Sequence, residues 1–355
     1  MNSKYQSIAD SLEQSILDKT FPPGAMLPTE FQLCQQYQVS RQTIRMALKL
    51  LTDRGLIQRR QGCGSRVLEH SVSHPQGRRT VAVITSSIRD YGIPSLLREA
   101  QAVLAAKGCI VRLYATSNHV HTERQILLDL LMEEHLDGIL VEGTRSALPN
   151  PNLDLYRKLK EKGVRIVFFG TGYENLNAVS VLDDNYGGGR QLTEYLIGKK
   201  HRCIAGIFQA DSIQGHQRFA GYSAALCKHG LTLEDSHVFW YQTEELPLLA
   251  SPETLWDRTL RELLRDCTAV VCCNDEVAAH VIRCLRFHGV RVPEDMAVVS
   301  FDNSPYSDLS SPTITSLGHR EPLGRLAAEA LLQLLRGERV RSQALPWVLS
   351  EKESS

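Results

Sequence analysis

The first 40 residues place apolar side chains at the spacing of two short helices. One set recurs every three or four residues and consists of Tyr5, Ile8, Ala9, Leu12 and Ile16. It predicts a first helix of about 15 residues, which the proline-rich segment FPPGAMLPTE ends. Thr29 can cap a second helix that ends near Val39, because Gln32 stands three residues later and completes a capping box.

A third amphipathic segment, SRQTIRMALKLL, occupies residues 40–51. Its apolar stripe consists of Ile44, Ala47, Leu48 and Leu51. Ser40 suits the N-cap position, since its hydroxyl can accept a backbone N–H of the first turn. The opposite face carries Arg41, Gln42, Arg45 and Lys49. Two arginines four residues apart with no acid between them suit phosphates and guanine edges, although an ordinary solvated helix face has the same composition.

Two short strand patterns follow the third helix and predict a hairpin. The strands are residues 56–60 and 65–68, and Gly62 and Gly64 would turn the chain between them. Three helices and a basic two-stranded wing constitute a winged helix-turn-helix domain, predicted for residues 1–68, whose third helix enters the major groove of DNA. Residues 69–80 are polar and aperiodic, which indicates a flexible linker.

From residue 81 onward, apolar β-branched runs alternate with helical periods. The runs occupy residues 81–85, 110–116, 137–143 and 164–170, and then 203–208, 237–241, 269–273 and 296–301. This alternation is typical of an α/β fold with doubly wound parallel sheets, whose strands are buried on both faces. Because it restarts after residue 183, we expect a two-lobed sensor in residues 81–355, one lobe comprising 81–183 and 312–338 and the other 184–311 and 339–355.

Polar residues stand where the predicted strands end, which is where such sheets bind their ligands. A sugar needs paired polar partners for its hydroxyl groups and an apolar or aromatic face for its C–H side. The candidates are Asp90, Tyr91, Glu142, Asp183, Asn274, Asp275 and Asp302 at or after strand ends, and Arg218 at the start of a helix. Asp275 has an alternative role as the N-cap of the helix predicted to begin near Glu276.

Charge divides the chain at the same place as the patterns. Residues 1–68 carry nine Lys and Arg against five Asp and Glu, a net of +4, and the remainder carries a net of −4. A small basic head on a larger acidic body fits nucleic-acid binding by the head alone. No apolar run reaches about 18 residues, no secretory signal is evident and nine cysteines are irregularly spaced, so we expect a cytoplasmic protein with reduced thiols and no metal or cofactor.

The run LPTEFQLCQQYQVSRQTIRMALKLLTDRGLIQRRQGCGSRV resembles the DNA-binding head of the GntR family almost end to end. It carries counterparts of that family's LP-[ST]-E start, its VSR-x-T-[IV]-R-x-AL helix and its GLI-x-R-x-x-G-x-G wing. The resemblance implies that Arg41 and Arg45 reach operator DNA from the third helix. It also implies that Gln61 and Gly62 contact DNA from the tip of the wing.

Individual roles follow from the chemistry of base edges. Arg45 is the candidate for bidentate contact with guanine, and Lys49 is expected to hold phosphate. Glu30 would contact DNA from the start of the second helix, where its carboxylate can accept from a cytosine amino group. The alternative for Glu30 is a carboxylate that is favoured simply by the helix N-terminus.

The body resembles the LacI-type and periplasmic sugar-binding proteins over essentially its whole length. The segments that carry the resemblance are GHQRFAGYSAAL, CCNDEVAAHVIRCLRFHGVRVPEDMAVVSFDN and SSPTITSLGH. It implies that Arg218, Asn274 and Asp302 bind the effector. The hybrid plan, with EGTRSALPNPN and FQADSIQGHQRFAGY, resembles the family of arabinose-responsive repressors. That family implies a homodimer on near-palindromic double-stranded operator DNA, released by L-arabinose or a related pentose.

Parts of the sequence also fit other functions. The effector could be another sugar or a purine-like ligand, and the body alone could be a carbohydrate-binding module without a regulatory role. Several acids in one cleft resemble glycosidase carboxylates. However, the sequence has no Gly-x-Ser-x-Gly, His-Glu-x-x-His or phosphate-loop motif, so we do not expect an enzyme.

Overall fold

The computed structural model describes residues 4–17, 20–22, 24–53, 56–60, 64–67, 78–87, 93–173, 175–255 and 260–355. The chain forms two compact units. Residues 1–80 with 108–110 and 134–137 make the first, and the remaining residues make the second. We call residues 4–67 the head and residues 80–355 the body. Within the described residues, no helix combines the length and apolar character needed to cross a bilayer.

The head is a three-helix domain with a two-stranded wing. Its helices and strands are α1 Lys4–Leu17, α2 Glu30–Tyr37, α3 Arg41–Asp53, β1 Ile57–Arg60 and β2 Gly64–Val67. The predicted capping box at α2 is present, with Gln32 N donating to Thr29 Oγ1 and Thr29 N donating to Gln32 Oε1. Ser40 caps α3, because Thr43 N donates to its hydroxyl at 3.3 Å. These caps start both helices where the sequence predicts them.

The core of the head confirms the apolar stripe of the third helix. Ile44, Ala47, Leu48 and Leu51 are each at most 1% exposed. They pack with apolar residues of α1, α2 and the wing, among them Leu12, Leu33 and Val67. Burial of this one stripe fixes which face of α3 points outward.

The wing strands pair antiparallel, with Ile57 opposite Val67 and Arg60 opposite Gly64. A segment before α2 joins the second strand, since Leu27 N donates to the carbonyl oxygen of Ser65 at 2.8 Å. The strands differ by one residue from the predicted bounds. The tip of the wing, including Gln61 and Gly62, lies outside the described residues.

The body contains two six-stranded sheets. The first has the order β13-β7-β6-β5-β3-β4. Its strands are β3 Thr80–Thr85, β4 Ile110–Ala115, β5 Gly138–Val141, β6 Arg165–Gly170, β7 Val179–Asp183 and β13 Gln343–Leu345. The second has the order β14-β12-β11-β10-β8-β9. Its strands are β8 Ile204–Gln209, β9 Val238–Tyr241, β10 Ala269–Cys272, β11 Ala297–Phe301, β12 Thr315–Gly318 and β14 Val348–Ser350.

Helices connect the strands and cover the sheets. They are α4 Ile93–Ala106, α5 Val120–Met132, α6 Leu153–Glu161, α7 Asn185–Gly198, α8 Ile213–Lys228, α9 Leu246–Leu249, α10 Pro252–Leu255, α11 Arg261–Leu263, α12 Asp275–Phe287, α13 Pro305–Leu309 and α14 Leu323–Leu335. The central strands β3, β5 and β10 are buried at every position, as continuous apolar runs predict. The α/β fold with doubly wound sheets is thereby confirmed, and β14 pairs antiparallel with β12 at the edge of the second sheet.

The predicted lobe limits need two corrections. Residues 315–318 form β12 in the second sheet, although the sequence assigned 312–338 to the first lobe. Residues 343–345 form β13 in the first sheet, although 339–355 were assigned to the second. The chain therefore crosses between lobes at 183–185, 318–323 and 345–348. Local periodicity cannot locate such crossings, because each short strand is placed by pairing with a partner that is distant in sequence.

Candidate functional site

The loops after the body's parallel strands meet at one cleft between the two sheets. A cavity of about 790 Å³ lies there and includes side chains from both lobes. Four of the predicted ligand residues line it: Glu142, Asp183, Asn274 and Asp302. Asp90 and Tyr91 fall in a segment that the structure does not describe. The expectation that ligands bind at the carboxyl ends of the strands therefore selected residues that do lie together in one cavity.

Glu142 follows β5 and is held by the end of β3. Its Oε2 atom accepts hydrogen bonds from Thr85 Oγ1 at 2.6 Å, from Ser86 N at 2.8 Å and from Ser86 Oγ at 2.8 Å. These donors fix the orientation of the carboxylate. Within the described parts of the chain, the hydrogen bonds to Glu142 all end on Oε2, which leaves Oε1 to accept from a ligand in the cavity.

Asp302 follows β11 with an unusual backbone. Its φ is +95° and that of Asn303 is +43°, in the left-handed region that non-glycine residues seldom adopt. Such strain is found where a side chain is aimed at a functional site. Burial raises the pKa of Asp302 from 3.8 to about 6, and the opposing charge of Arg218 limits the rise. The carboxylate is therefore anionic at neutral pH and becomes protonated in mild acid.

Arg218, predicted as a ligand-binding residue, lies behind Asp302 and is not among the residues that line the cavity. The residue is 2% exposed, and its Nη2 atom is 3.5 Å from Asp302 Oδ1. Its Nε atom donates to Asn185 Oδ1 at 2.8 Å, and its guanidinium lies 4.2 Å from the centroid of the Phe301 ring. The sequence expected Arg218 at the start of a helix, but α8 begins five residues earlier, at Ile213, and this structure gives Arg218 a positioning role.

Asn274 occupies the N-cap position that the sequence offered to Asp275 as an alternative role. Asn274 is the N-cap of α12, because its Oδ1 atom accepts from Val277 N at 2.9 Å. Asp275 is fully buried and lies outside the cavity lining, so it is neither the predicted cap nor a ligand contact in this structure. Its carboxylate accepts from Ser304 N at 2.7 Å, from Ser316 Oγ at 2.6 Å and from Ser300 Oγ. Asp275 therefore ties β11 and β12 together beneath the cleft.

His319 joins the site beside Asp183. Its Nε2 atom is 3.1 Å from Asp183 Oδ1, and its ring stacks on Trp347 with centroids 4.1 Å apart. Its Nδ1 atom is buried and has no hydrogen-bond partner among the described residues. A buried polar atom without a partner in a cleft is a group that a ligand can satisfy.

A second polar cluster, missed in the sequence, connects the lobes. Asn118 of the first lobe donates from Nδ2 to Asp211 Oδ2 at 2.7 Å, and Thr243 Oγ1 donates to the same oxygen at 2.7 Å. Asp211 Oδ1 is buried without a partner in the part of the chain that the structure describes. The sequence could have indicated this cluster by the same criterion as the others, because Asp211 lies just beyond β8 and Asn118 lies in the loop after β4.

Further hydrogen bonds hold the lobes against each other. Ile213 N donates to Ser146 Oγ at 3.0 Å, and Gln214 Nε2 donates to the carbonyl oxygen of Gly170 at 3.2 Å. Arg145 and Glu244 form an ion pair across the cleft. Each of these contacts stabilises the arrangement of the two lobes by only about 0.5–1.5 kcal/mol net. A ligand that binds between the lobes can therefore change this arrangement.

The head presents a polar face on its third helix. Arg41, Gln42, Arg45 and Lys49 are exposed on α3, opposite its buried stripe. No acid stands between Arg41 and Arg45 in the sequence, but Arg45 has a partner on another helix. Its Nε atom donates to Glu30 Oε2 at 3.0 Å. The Arg45 side chain remains 64% exposed, so water screens this pair and its net stabilisation is small.

Comparison with known proteins finds family matches for both the head and the body. Residues 4–67 match the gntR family of bacterial regulatory proteins, and residues 193–355 match the periplasmic binding protein-like domain. The chain is 30% identical to an arabinose metabolism transcriptional repressor of Halalkalibacterium halodurans, over 96% of this chain and 91% of that protein. It is 32% identical to a protein of the same name from Geobacillus stearothermophilus, over 94% of this chain and 91% of that protein.

Two solved structures share the fold of most of this chain. The transcriptional regulator CelR in complex with cellobiose matches with a TM-score of 0.66 and 26% identity, covering 90% of this chain and 92% of that one. A crystal structure of a GntR regulator from Chromobacterium violaceum matches with a TM-score of 0.69 and 26% identity, covering 78% of this chain and 99% of that one.

Asp275 provides a test of how the cleft is supported. Asp275→Ala removes the shared acceptor of three buried donors, and we expect the free energy of unfolding to fall by about 3 kcal/mol or more. Asp308→Ala is the matched control, since Asp308 is 71% exposed and pairs only with Lys352 among the described residues, so its loss should cost less than about 1 kcal/mol. Tryptophan fluorescence during denaturation measures both. Equal stability of the two variants would contradict the supporting role of Asp275.

Proposed function

This chain belongs to the family of bacterial transcriptional repressors that join a GntR-type DNA-binding head to a periplasmic-binding-protein-like sensor, and on that premise we propose that it represses transcription until a small sugar binds. It acts as a homodimer on near-palindromic operator DNA in the bacterial cytoplasm. The effector is L-arabinose. The observation that carries the proposal is a DNA-binding head on the same chain as a cleft lined by carboxylates and amides.

The exposed face of α3 supports DNA binding by the head. A helix with one face buried against a three-helix core can present the other face to the major groove. Arg45 and Arg41 are long enough to reach guanine edges, and Lys49 is placed for phosphate. In a dimer, two such helices read two half-sites, and the two-fold symmetry of the protein requires a near-palindromic operator.

The ion pair between Arg45 and Glu30 orients the Arg45 side chain before it binds DNA. In free protein, Glu30 holds the Arg45 side chain through a single contact from Nε. The outer guanidinium nitrogens of Arg45 are then free to form a bidentate contact with guanine, and Glu30 is positioned beside them. The pair thereby reduces the conformational freedom that Arg45 loses when it binds DNA.

The polar groups of the cleft support a sugar as the effector. Glu142, Asp183 and Asp302 offer carboxylate acceptors, and Asp211 and His319 carry buried atoms that have no partner in the described protein. Ile93, Leu96 and Leu323 line the same cavity, are partly exposed and supply apolar surface for the C–H face of a sugar. The rings of Phe169 and Tyr241 also line it but are at most 2% exposed. The identity of about 30% with two arabinose metabolism repressors favours L-arabinose. The likeness to CelR with cellobiose makes a larger sugar the alternative.

The same groups argue for binding without catalysis. Glu142 is held by three donors and Asp302 by Arg218, so each carboxylate is oriented as a hydrogen-bond acceptor. The similar proteins are regulators of transcription. A sugar that contacts both lobes strengthens their closed arrangement, which shifts the dimer to a state whose heads no longer match the half-site spacing.

Calorimetric titration of the full chain identifies the effector. L-Arabinose should bind and release the operator, whereas D-xylose, cellobiose and adenosine should bind at least tenfold more weakly. Because the ionised Asp302 is the acceptor and its pKa is about 6, affinity for L-arabinose should fall about tenfold between pH 7.5 and pH 5. If one of the other three compounds binds tightly instead, that compound replaces L-arabinose as the proposed effector. If none of the four binds, the proposal of a sugar site is wrong.

Asp302→Asn is the control for the pH effect. Arg218, Asp183, Asp275 and His319 also act on the charge of Asp302, so pH alone would not isolate its contribution. The amide cannot ionise, and we expect weak binding at both pH values with a much smaller difference between them. An unchanged pH dependence in this variant would remove Asp302 from the sugar site.

Arg45→Ala tests whether α3 is the recognition helix. On the duplex that the wild-type protein selects from a random library, loss of a bidentate guanine contact should cost about 1–3 kcal/mol and relax the preference for one base pair. Lys49→Ala is the matched control on the same helix, and it should weaken binding to selected and scrambled duplexes alike, with a smaller dependence on salt. Wild-type affinity and base preference in Arg45→Ala would show that α3 is not the recognition helix.

A further inference from the structure

Three potential metal ligands meet at the edge of the second sheet that lies away from the cleft. Cys203 directly precedes β8, His237 directly precedes β9, and Cys267 stands two residues before β10. These strands are neighbours and run parallel in the order β10-β8-β9, so their amino ends share one edge. Since β8 has six residues, this edge is roughly 20 Å from the sugar cleft at the carboxyl ends.

The three side chains are close enough to share one ion. Cys203 Sγ is 3.6 Å from His237 Nδ1 and 2.7 Å from Cys267 Sγ, and one ligand atom from each residue lies within 4.8 Å of the others. Cys267 is buried, and the other two residues are half-buried. No other group of three such ligands was found in the described residues, which makes this cluster distinctive for the chain.

The distances match a tetrahedral zinc site with one adjustment. Zinc bonds of about 2.3 Å to sulfur and 2.0–2.1 Å to nitrogen place a sulfur and a nitrogen ligand about 3.6 Å apart and two sulfur ligands about 3.8 Å apart. The separation between Cys203 and His237 already has this value. The two thiols have to part by about 1 Å, which a rotation about one Cα–Cβ bond supplies.

The Glu234 carboxylate lies near His237, beyond hydrogen-bond distance but on the side where a metal-binding histidine often has a partner. Its Oε2 atom is 3.9 Å from His237 Nε2, the ring nitrogen farther from Cys203 Sγ. A histidine that binds metal through one nitrogen usually donates its other N–H to a carboxylate or carbonyl, which fixes the tautomer. The carboxylate therefore stands on the side of the ring where such a partner is needed.

We propose that Cys203, His237 and Cys267 bind one zinc ion, with His237 Nδ1 as the nitrogen ligand and a water molecule in the fourth position. Two thiolates and an imidazole suit this borderline-soft ion better than magnesium or calcium, which prefer oxygen ligands. Each of the two thiols releases one proton as the ion enters, so the two positive charges of zinc replace two protons. The ion joins three neighbouring strands and stabilises the second lobe.

Zinc uptake by the full chain tests this site. Protein reduced with a phosphine and stripped with a chelator is loaded with zinc chloride, passed over a desalting column and analysed for metal by mass spectrometry. We expect one tightly held zinc per chain, a higher unfolding temperature with zinc than with chelator, and, with cobalt, a thiolate charge-transfer band. Because none of these readouts involves sugar or DNA, failure here is distinguishable from failure of the proposed function.

Matched variants assign the ligands. Cys203→Ser and Cys267→Ser should lose the stoichiometric zinc and the cobalt band, and His237→Gln and Glu234→Gln should weaken affinity at least tenfold while leaving both thiols in place. Cys227→Ser, which removes an exposed cysteine outside the cluster, should bind zinc as the wild type does. If the serine variants do not fold, the two Gln variants decide alone. Zinc retention equal in all variants, or a wild-type chain that takes up no zinc and instead forms a Cys203–Cys267 disulfide, would overturn the proposal.

Discussion

Parallel strands end at a common edge, and this constraint determines where the chemistry of the body lies. Glu142, Asp183, Asn274 and Asp302 come from four different strand ends, yet they line one cavity because the two sheets turn their carboxyl edges toward the same cleft. The amino edge of the second sheet brings Cys203, His237 and Cys267 together by the same rule. The helices and crossings between the strands set the distance between the two lobes.

Burial of charge explains the arrangement within the cleft. A carboxylate that is taken wholly or partly out of water is costly unless donors surround it, and the buried Asp275 and the half-buried Glu142 and Asp302 each have them. Asp275 uses its donors to join strands, whereas Glu142 and Asp302 are held with surface toward the cavity. Arg218 stabilises the anion of Asp302 from behind while burial raises its pKa to about 6. The negative charge of Asp302 is thus stabilised mainly by Arg218, which does not line the cavity.

The sequence was informative wherever the deciding interaction was local. The stripe of α3 and the capping box of α2 depend on residues within one or two helical turns, and both were predicted. The partner of Arg45 could not be read in this way, because Glu30 is 15 residues away on another helix. Asn274 and Asp275 are both good caps by type, and only the serines that surround Asp275 decide between them. The zinc ligands are 34 and 30 residues apart in sequence, a spacing that no motif records.

Coupling between the cleft and the head is the central claim, and linkage makes it measurable in one experiment. Any factor by which the sugar weakens operator binding must equal the factor by which the operator weakens sugar binding. The affinity of the full chain for L-arabinose is measured by calorimetry without DNA and with saturating operator duplex. We expect weaker sugar binding in the presence of operator, by the same factor that L-arabinose imposes on operator affinity. Identical sugar affinities in the two titrations would contradict the account.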